Sequence, residues 1–195
     1  MQTTTLSFAN IHNHGELFAN MLRARRDLFI GHNKWNLPEA MGMEYDQYDT
    51  PASRWVVVHD DAGRVLAGNR LTPTTTRCGI YSYMIRDAQR GLLDTIPDHL
   101  LWDPAPVSAT VCESSRLFVS HDVPAAIRRQ VHARLIAELG DATRSLGATH
   151  CVTLLAATWP RWAGRVGVKM RALGPVMDID GPHQVVEMDF TPALH

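Results

Sequence analysis

The fold is decided by one stretch, ATVCESSRLFVSHDVPAAIRRQVHARLIAELGDATRSLGATHCVTLL, which occupies residues 109–155. Residues 109–119 have the character of a strand. Pro124 suits the first position of a helix and Gly147 suits its end, with apolar side chains between them at helical spacing. Residues 151–155 form an apolar run, typical of a strand that is covered on both faces. This order predicts a crossover helix between two strands of one sheet.

The elements on either side extend this unit. Asn13 and Glu16 have the spacing of a helix cap, and apolar residues then recur at helical spacing as far as Phe29. Two short strands joined by the turn Asp60–Gly63 predict a hairpin. The predicted fold class is α/β, a three-layer α/β/α mixed sheet, in a single domain of residues 1–195. The other predicted elements are the hairpin strands 54–58 and 64–68, a loop at 31–49, a strand at 79–84, helices at 85–93 and 159–166, and strands at 170–177 and 184–190.

Length and charge exclude several classes of protein. The 195 residues carry a net charge of −1, so no strongly basic surface for nucleic acid is expected. No apolar run approaches the ~20 residues that a membrane helix needs, and the N-terminus lacks the pattern of a secretion signal. The three cysteines are therefore expected to be reduced thiols of a cytoplasmic protein. The ten histidines are scattered without metal-binding spacing, so no metal site is predicted.

Four short stretches place charged residues beside aromatic or apolar ones. A buried charge is costly unless it is paired with an opposite charge. Opposite charges that recur on apolar elements therefore predict one shared polar pocket. The stretches are RRDLF at 25–29 with Trp35 beyond it, EYDQYD at 44–49, GNRL at 68–71 and ESSR at 113–116.

Each of these residues also has a purely structural interpretation. Arg25 can reach solvent past the apolar stripe of its helix, and Trp35 can fill the core. The two aspartates of 44–49 can cap a helix or a turn. Strand alternation places Glu113 and Arg116 on opposite faces, so they need not meet. The shared pocket is favoured because it explains all four stretches at once.

The spacing of these motifs resembles that of the acyl-homoserine-lactone synthases, which make quorum-sensing signals. The resemblance covers residues 14–190. It implies an N-acyltransferase-like (GNAT) fold that moves an acyl group from a thioester of acyl carrier protein or coenzyme A to the amine of S-adenosylmethionine. Lactone closure then expels methylthioadenosine. The functional residues that the resemblance implies are Arg25, Phe29, Trp35, Asp46, Asp49, Arg70, Glu113 and Arg116, with Ser115 also expected at the substrate.

The chemistry of these residue types supports such roles. A protonated amine cannot attack a thioester, so a carboxylate such as Glu113 is expected to act as general base. Trp35 and Phe29 offer aromatic faces to an adenine ring or to the sulfonium cation. The arginines and aspartates are expected to form an ion network that orders the loop over the substrate. Thr153 stands where the family often carries a threonine associated with 3-oxo-acyl products.

The start of the long helix bears on the acyl donor. Its N-terminus offers backbone N–H groups to a phosphate, and Arg128, Arg129 and Arg134 add positive charge suited to an acidic partner. The glycine-rich turn that coenzyme A acetyltransferases place before this helix is absent from 120–126. Acyl carrier protein is therefore favoured over coenzyme A, and no cofactor besides the two substrates is expected. The alternatives are acylation of another amine without lactone formation, and a non-catalytic acyl-ligand sensor.

Overall fold

The computed structural model describes residues 1–159 and 167–192. The helix predicted at 159–166 therefore falls almost entirely outside the described residues. In chain order the helices and strands are β1 (Gln2–Leu6), α1 (Leu17–Arg26), β2 (Glu39–Ala40), β3 (Met43–Glu44), β4 (Arg54–His59), β5 (Val65–Pro73), α2 (Met84–Gln89), β6 (Val111–Val119), α3 (Ala125–Ser145), β7 (His150–Ala156), β8 (Lys169–Ala172), β9 (Met177–Asp178) and β10 (Pro182–Asp189).

The described chain divides into two compact units. The first comprises residues 1–71 and 116–142, and the second comprises 72–115 and the described residues from 143 onwards. Strands β5 and β6 and helix α3 each contribute residues to both units. The single domain expected from the length of the chain stays a prediction.

The first unit is built on three antiparallel strands. β4 pairs with β1, from Leu6 opposite Trp55 to Gln2 opposite His59, and it pairs with β5 on its other side. The predicted hairpin is thereby confirmed, although β5 continues to Pro73, beyond its predicted end. Strand β1 was not predicted, because three consecutive threonines carry no apolar alternation that would mark a half-buried strand.

Helix α1 begins later than its predicted cap. Residues 11–13 form a 3-10 turn, and α1 starts at Leu17 with Glu16 before it and no side-chain cap bond. The cap predicted at Asn13 is therefore wrong. At its C-terminal end α1 runs into a π-helical turn, Asp27–His32, in which the Asn33 N–H donates to the Leu28 carbonyl at 2.8 Å. Single π-helical turns are often found at functional sites.

The apolar stripe of α1 packs onto the hairpin. Phe18 meets the ring of Trp55 edge-on at 4.7 Å between centroids. Burying a large apolar side chain contributes about 1.5–3 kcal/mol, so this cluster anchors the helix that carries Arg25. Gly68 is required here, because a Cβ at this position would lie 2.8 Å from the Phe118 ring. The buried members of the cluster are Leu6, Leu17, Met21, Leu22, Phe29, Trp55, Val57, Val65 and Phe118.

The second unit contains the parallel pair that makes the sheet mixed. β6 and β7 run parallel from Val111 opposite His150 to Ser114 opposite Thr153, and β7 pairs antiparallel with β10. β10 also pairs with β8 and β9. The predicted crossover is confirmed, since α3 connects β6 to β7. The strand predicted at 79–84 is wrong: that region precedes α2 and carries only an isolated bridge.

Helix α3 matches its predicted bounds. It has 21 residues and begins directly after Pro124. Gly147 has φ 78°, the left-handed conformation that ends a helix and that glycine adopts without strain. Among the helices that the structure describes, none is long and apolar enough to cross a membrane.

Candidate active site

Arg25 is a fully buried cation on the last turn of α1. Its Nε donates to Glu44 Oε2 at 2.5 Å. Its two terminal nitrogens donate to the two carboxylate oxygens of Asp49 at 2.8 and 3.0 Å. Such a paired geometry is the strongest that an arginine offers to a carboxylate. The interpretation of Arg25 as a side chain that reaches solvent is therefore wrong, because its side chain is only 1% exposed.

Arg70 and Arg116 complete the pairing of the same acids. Arg70, on β5, donates through both terminal nitrogens to Asp46, and its Nη1 lies 3.2 Å from Asp49 Oδ2. Arg116, on β6, donates from Nε to Glu44 Oε1 at 3.1 Å, and its Nη2 lies 2.9 Å from Asp46 Oδ2.

These contacts close into a ring of alternating charge, here called the charge ring. Each carboxylate bridges two guanidiniums, and three positive charges balance three negative ones. Arg25, Glu44 and Arg70 are buried, and the other three side chains are nearly so, the most exposed being Arg116 at 11%. In order around the ring the residues are Arg25, Glu44, Arg116, Asp46, Arg70 and Asp49.

A tight turn holds the acids of the ring in place. The backbone N–H of Asp46 donates to Asp49 Oδ2 at 2.9 Å, and the N–H of Tyr48 donates to Asp46 Oδ1 at 2.8 Å. The indole N–H of Trp55 adds a bond of 2.9 Å to Asp49 Oδ1. The two aspartates therefore do cap a turn, as their structural interpretation predicts, and they pair with the arginines at the same time. Asp side chains favour such local bonds to backbone N–H groups.

The charge ring keeps its aspartates ionised. Burial by itself raises the pKa of Asp49, but Arg70 and Arg25 outweigh burial and hold this pKa far below its usual range. The pKa of Asp46 is likewise lowered, because Arg70 and Arg116 outweigh the effect of burial. The pKa of Arg25 is raised, since the pull of Asp49 exceeds the cost of burial.

An aromatic pair lies against the ring. Phe29 and Trp35 stack with 5.1 Å between centroids and an interplanar angle of 4°. The guanidinium carbon of Arg116 lies 5.7 Å from the centroid of Phe29, within the range of a cation–π contact. Phe29 belongs to the buried core, whereas Trp35 is half-buried. Trp35 is therefore the more exposed member of the pair.

Arg116 has an unusual backbone conformation for a strand residue. Its φ is 53°, in the left-handed region that non-glycine residues rarely adopt. Such strain persists only where the surroundings over-determine it, and it often marks a functional site. The left-handed residue also interrupts the regular alternation of side chains along β6. The prediction that residues 113 and 116 lie on opposite faces assumed such alternation, and this assumption does not hold at residue 116.

Glu113 occupies a different environment, in the second unit. It is fully buried, and its two carboxylate oxygens accept the backbone N–H groups of Met84 at 3.1 Å and Ile85 at 2.7 Å. These N–H groups belong to the first turn of α2, where backbone donors have no partner within the helix. The helix start therefore fixes the orientation of this carboxylate.

Ser115 and Thr153 also lie in the second unit. Both are buried, Ser115 on β6 and Thr153 on β7. Thr153 is opposite Ser114 in the parallel register. Among the described residues, the Thr153 hydroxyl has no hydrogen-bond partner although it is fully buried. An unpaired buried hydroxyl is unfavourable, so a ligand group that bonds to it would remove that penalty.

The three arginines predicted for donor docking differ in their surroundings. Arg128 Nη2 donates to the carbonyl oxygens of Ser120 at 2.9 Å and His121 at 3.1 Å, so Arg128 fastens the loop before α3. Arg129 and Arg134 are exposed on α3. A docking role for these arginines stays a prediction, and Arg129 and Arg134 are the pair that is open to a partner.

Glu44 was not among the predicted site residues, although it begins the predicted acidic stretch 44–49. The two-residue spacing from Glu44 to Asp46 places both side chains on the same side of an extended segment, and this was the available signal. Its bond to Arg116 spans 72 positions of the chain, which local spacing does not reveal.

No metal centre emerges from the part of the chain that the structure describes. Within it, no three or more His, Cys, Asp or Glu side chains are grouped in a way that would hold an ion. The acids of the charge ring are instead bridged by arginines. The expectation that the reaction needs no cofactor stays a prediction.

Comparison with known proteins gives one consistent family. The autoinducer synthase family matches residues 9–186. An acyl-homoserine-lactone synthase of Ralstonia nicotianae is 30% identical over 179 residues, which cover 88% of this chain and 82% of the relative. One from Ralstonia solanacearum is 29% identical over 167 residues, covering 84% of this chain and 76% of the relative.

Solved structures confirm the predicted N-acyltransferase-like α/β fold. TofI, in a ternary complex with an inhibitor and MTA, has a TM-score of 0.78 and 26% identity, covering 97% of this chain and 92% of its own. BjaI, a coenzyme A-dependent acyl-homoserine lactone synthase with SAM and isopentyl-CoA, has a TM-score of 0.76 and 20% identity, covering 95% and 82%. An N-acetyltransferase from Lactobacillus plantarum has a TM-score of 0.58 and 13% identity, covering 97% and 99%.

The last two likenesses concern the fold alone, whereas the family match concerns the chain itself. It spans all four charged stretches of the sequence, including every member of the charge ring and Glu113. The chain belongs to the autoinducer synthase family, whose curated relatives are acyltransferases that make acyl-homoserine lactones.

Proposed function

We propose that this chain transfers an acyl group from acyl carrier protein to the amine of S-adenosylmethionine, closes the lactone and releases methylthioadenosine. The observation that carries this proposal is the charge ring beside the Phe29–Trp35 pair. Buried ion pairs are often no better for stability than apolar residues of similar volume. A closed ring of six buried or nearly buried charges is therefore better explained by function than by stability.

The first step forms an amide bond. The amine must lose a proton before its nitrogen attacks the thioester carbon, and Glu113 is the proposed base, directly or through water. The C–N bond forms, the C–S bond of the thioester breaks, and the carrier thiol leaves with a proton. The thioester oxygen becomes negative during this step and needs hydrogen-bond donors.

The second step closes the ring of the product. The substrate carboxylate attacks the carbon next to the sulfonium, so a C–O bond forms while the C–S bond breaks. Methylthioadenosine leaves as a neutral thioether, and no external redox partner is needed. Trp35 is proposed to hold the adenine or the sulfonium on its ring, with Phe29 as a buried support behind it. The MTA in the TofI complex supports this assignment of the second substrate.

The charge ring is proposed to hold in place the part of the substrate site that the first unit supplies. Because Asp46 and Asp49 are held ionised by arginines, they are poor proton acceptors. Their proposed role, shared with Arg25 and Arg70, is to order the segment between α1 and β4. Arg116 is the proposed contact to substrate oxygen, since it is the most exposed arginine of the ring.

The acyl chain is proposed to pass beside Thr153. Its hydroxyl has no partner among the described residues, so a 3-oxo group of the acyl chain would supply the missing hydrogen bond. Thr153→Val, which keeps the shape of the side chain, is expected to shift products from 3-oxo towards unsubstituted lactones. Product ratios from a mixture of the two acyl donors measure this shift.

The preference for acyl carrier protein rests on Arg129 and Arg134, which are exposed on α3. An acidic carrier docks through several such charges. BjaI is coenzyme A-dependent, so a protein of similar fold accepts a coenzyme A thioester, and the donor of this chain must be measured.

Product analysis tests the proposed function. Purified chain is incubated with S-adenosylmethionine and a series of acyl carrier proteins or coenzyme A thioesters, and mass spectrometry quantifies lactone and methylthioadenosine. Equal amounts of the two products support the proposal. An acylated amine without methylthioadenosine would favour the alternative function, acylation of an amine without lactone formation. Faster turnover of every coenzyme A thioester than of the carrier-protein thioesters would overturn the assignment of acyl carrier protein as donor. Glu113→Gln serves as the matched control, with folding checked by circular dichroism.

A further inference from the structure

Glu44 is a fully buried carboxylate to which the proposed reaction assigns no role. It accepts Arg25 Nε through Oε2 and Arg116 Nε through Oε1. Arg116 Nη2 also lies 3.1 Å from Oε1. Glu44 is therefore the acid of the charge ring that bonds directly to both Arg25 on α1 and Arg116 on β6.

The two arginines depend on Glu44 to different degrees. Arg25 keeps two parallel bonds to Asp49 whether or not Glu44 is present. Arg116 has no such second grip: its Nε bonds only to Glu44 among the described residues, and Asp46 contacts Nη2 alone. Loss of the Glu44 carboxylate would therefore leave Arg116 free to rotate about its remaining contact.

Arg116 also differs from the other two arginines of the ring in its backbone and in its free terminal nitrogen. Its backbone is in the left-handed conformation, with φ 53°. The structure gives its Nη1 no partner among the described residues, while Nε and Nη2 are both engaged. Since a guanidinium is planar, fixing Nε and Nη2 also fixes the direction in which the Nη1 hydrogens point.

We propose that Glu44 is a positioning residue, which grips Arg116 at Nε and Nη2 so that the Nη1 N–H groups point at a substrate oxygen. This inference rests on the proposed function. The oxygen is a carboxylate or a thioester carbonyl, because these are the acceptors that the two substrates bring. A carboxylate is needed at position 44, since it offers only acceptors to the two guanidiniums. A Gln there would turn one N–H₂ group towards an arginine and leave the ring with an excess positive charge.

The first test reads the grip without any turnover. In a ¹H–¹⁵N spectrum of arginine side chains, the Nε–H signal of Arg116 is assigned by its disappearance in Arg116→Lys. We expect Glu44→Gln to speed exchange of this Nε–H by about tenfold or more, because its buried hydrogen bond is lost. Glu39→Gln is the matched control, since Glu39 pairs with Arg26 in an exposed position. Unchanged protection of the Arg116 Nε–H in a folded Glu44→Gln protein would overturn the proposal.

The second test is a kinetic double-mutant cycle. We expect Glu44→Gln to lower kcat by about 10- to 100-fold, the usual effect of a misplaced catalytic contact, with KM changed less than about threefold. In the Arg116→Lys background, the same substitution should change kcat by less than about threefold, because the grip is already lost. An equal loss in both backgrounds would show that Glu44 does not act through Arg116, and would overturn the proposal.

Two further measurements separate the possible failures. If Glu44→Gln does not fold, Glu44→Asp replaces it: the charge remains while the shorter side chain loosens the grip, and we expect an intermediate loss of kcat and of Nε–H protection. Wild-type kcat and protection in Glu44→Asp would contradict the proposal. A wild-type chain that makes no lactone overturns the proposed function, and the Nε–H measurement still decides whether Glu44 holds Arg116.

Discussion

Glu44 in the first unit and Glu113 in the second are both fully buried, but their charges are compensated in different ways. Glu44 lies between the guanidiniums of Arg25 and Arg116. Glu113 accepts two backbone N–H groups at the start of α2. One carboxylate is held by full positive charges and the other by neutral amides.

The difference bears on the proposed roles of the two carboxylates. A carboxylate of the charge ring that takes up a proton gives up ion pairs with two arginines, and breaking a buried pair costs about 3–5 kcal/mol. Glu113 is the proposed base, and the start of α2 fixes the direction in which its oxygens point. The ring is suited to hold the shape of the site.

The largest expected effect comes from removing the base. Glu113→Gln keeps the shape of the side chain but cannot accept the amine proton, so we expect kcat/KM to fall by about 10²- to 10⁴-fold. Steady-state kinetics with S-adenosylmethionine as the varied substrate measure the fall. Glu187→Gln is the control in the same unit, because Glu187 pairs with the exposed Arg171, and it should retain wild-type kinetics. Near wild-type turnover in a folded Glu113→Gln protein would place the base elsewhere.

The next effect concerns stability and tests the burial of the ring. Arg25→Ala leaves Glu44 and Asp49 with one cation fewer in a buried site, and we expect the free energy of unfolding to fall by about 3–5 kcal/mol. The neighbouring Arg26, whose side chain is 37% exposed and pairs with Glu39 at the surface, is the matched control. Arg26→Ala should leave the denaturation midpoint nearly unchanged. If both variants behave alike in urea unfolding, Arg25 is not the buried cation described here.

A smaller effect should appear in the pH dependence of stability. The folded-state pKa of Asp49 lies below its unfolded value, so its contribution is present at neutral pH and is lost as the pH falls. Because an unfolded Asp titrates near pH 3.9, this one group should lower the free energy of unfolding by about 1 kcal/mol between pH 7 and pH 3. Urea unfolding of Asp49→Asn at both pH values should show a shallower loss than the wild type. Equal slopes would mean that Asp49 is not held ionised by Arg70 and Arg25.

The smallest effect is expected at the surface of α3, where charges are solvated. Reversing Arg129 and Arg134 to Glu should raise KM for acyl carrier protein roughly three- to tenfold at low salt, mainly by slowing encounter. The effect should shrink at 0.15 M salt, where screening acts over about 8 Å. Turnover at saturating donor should not change. Arg128 is left intact, because it fastens the loop before α3. Unaltered carrier-protein kinetics at low salt would remove the docking role of this surface.

The central part of the fold was predictable because its signals are local. Pro124 and Gly147 bound α3 in sequence as they do in the structure, and the apolar run 151–155 lies within β7. Strand β1 and the start of α1 were missed, because tertiary pairing and a 3-10 turn decided them. Strand β1 depends on pairing with the distant β4, which overrides local preference.

The site was predictable in its members more than in its geometry. The acidic stretch and the arginines were expected to form an ion network. In the structure Arg25 pairs with Asp49 and Arg70 pairs with Asp46. Glu44, which was not predicted, also pairs with Arg25. The order of partners around the ring depends on the three-dimensional path of the chain. The left-handed conformation of Arg116 has no sequence signal, since arginine rarely adopts it.

The central claim is that the charge ring is one closed unit, and a double-mutant cycle on the unfolding free energy tests it most directly. Arg25→Ala, Asp49→Ala and the double variant are compared with the wild type by urea denaturation. If the ring is closed and buried, the double variant should lose less unfolding free energy than the two single variants together, by at least about 2 kcal/mol. The reason is that each single substitution already leaves the other residue without its partner. Additive losses, with no coupling between Arg25 and Asp49, would contradict the account.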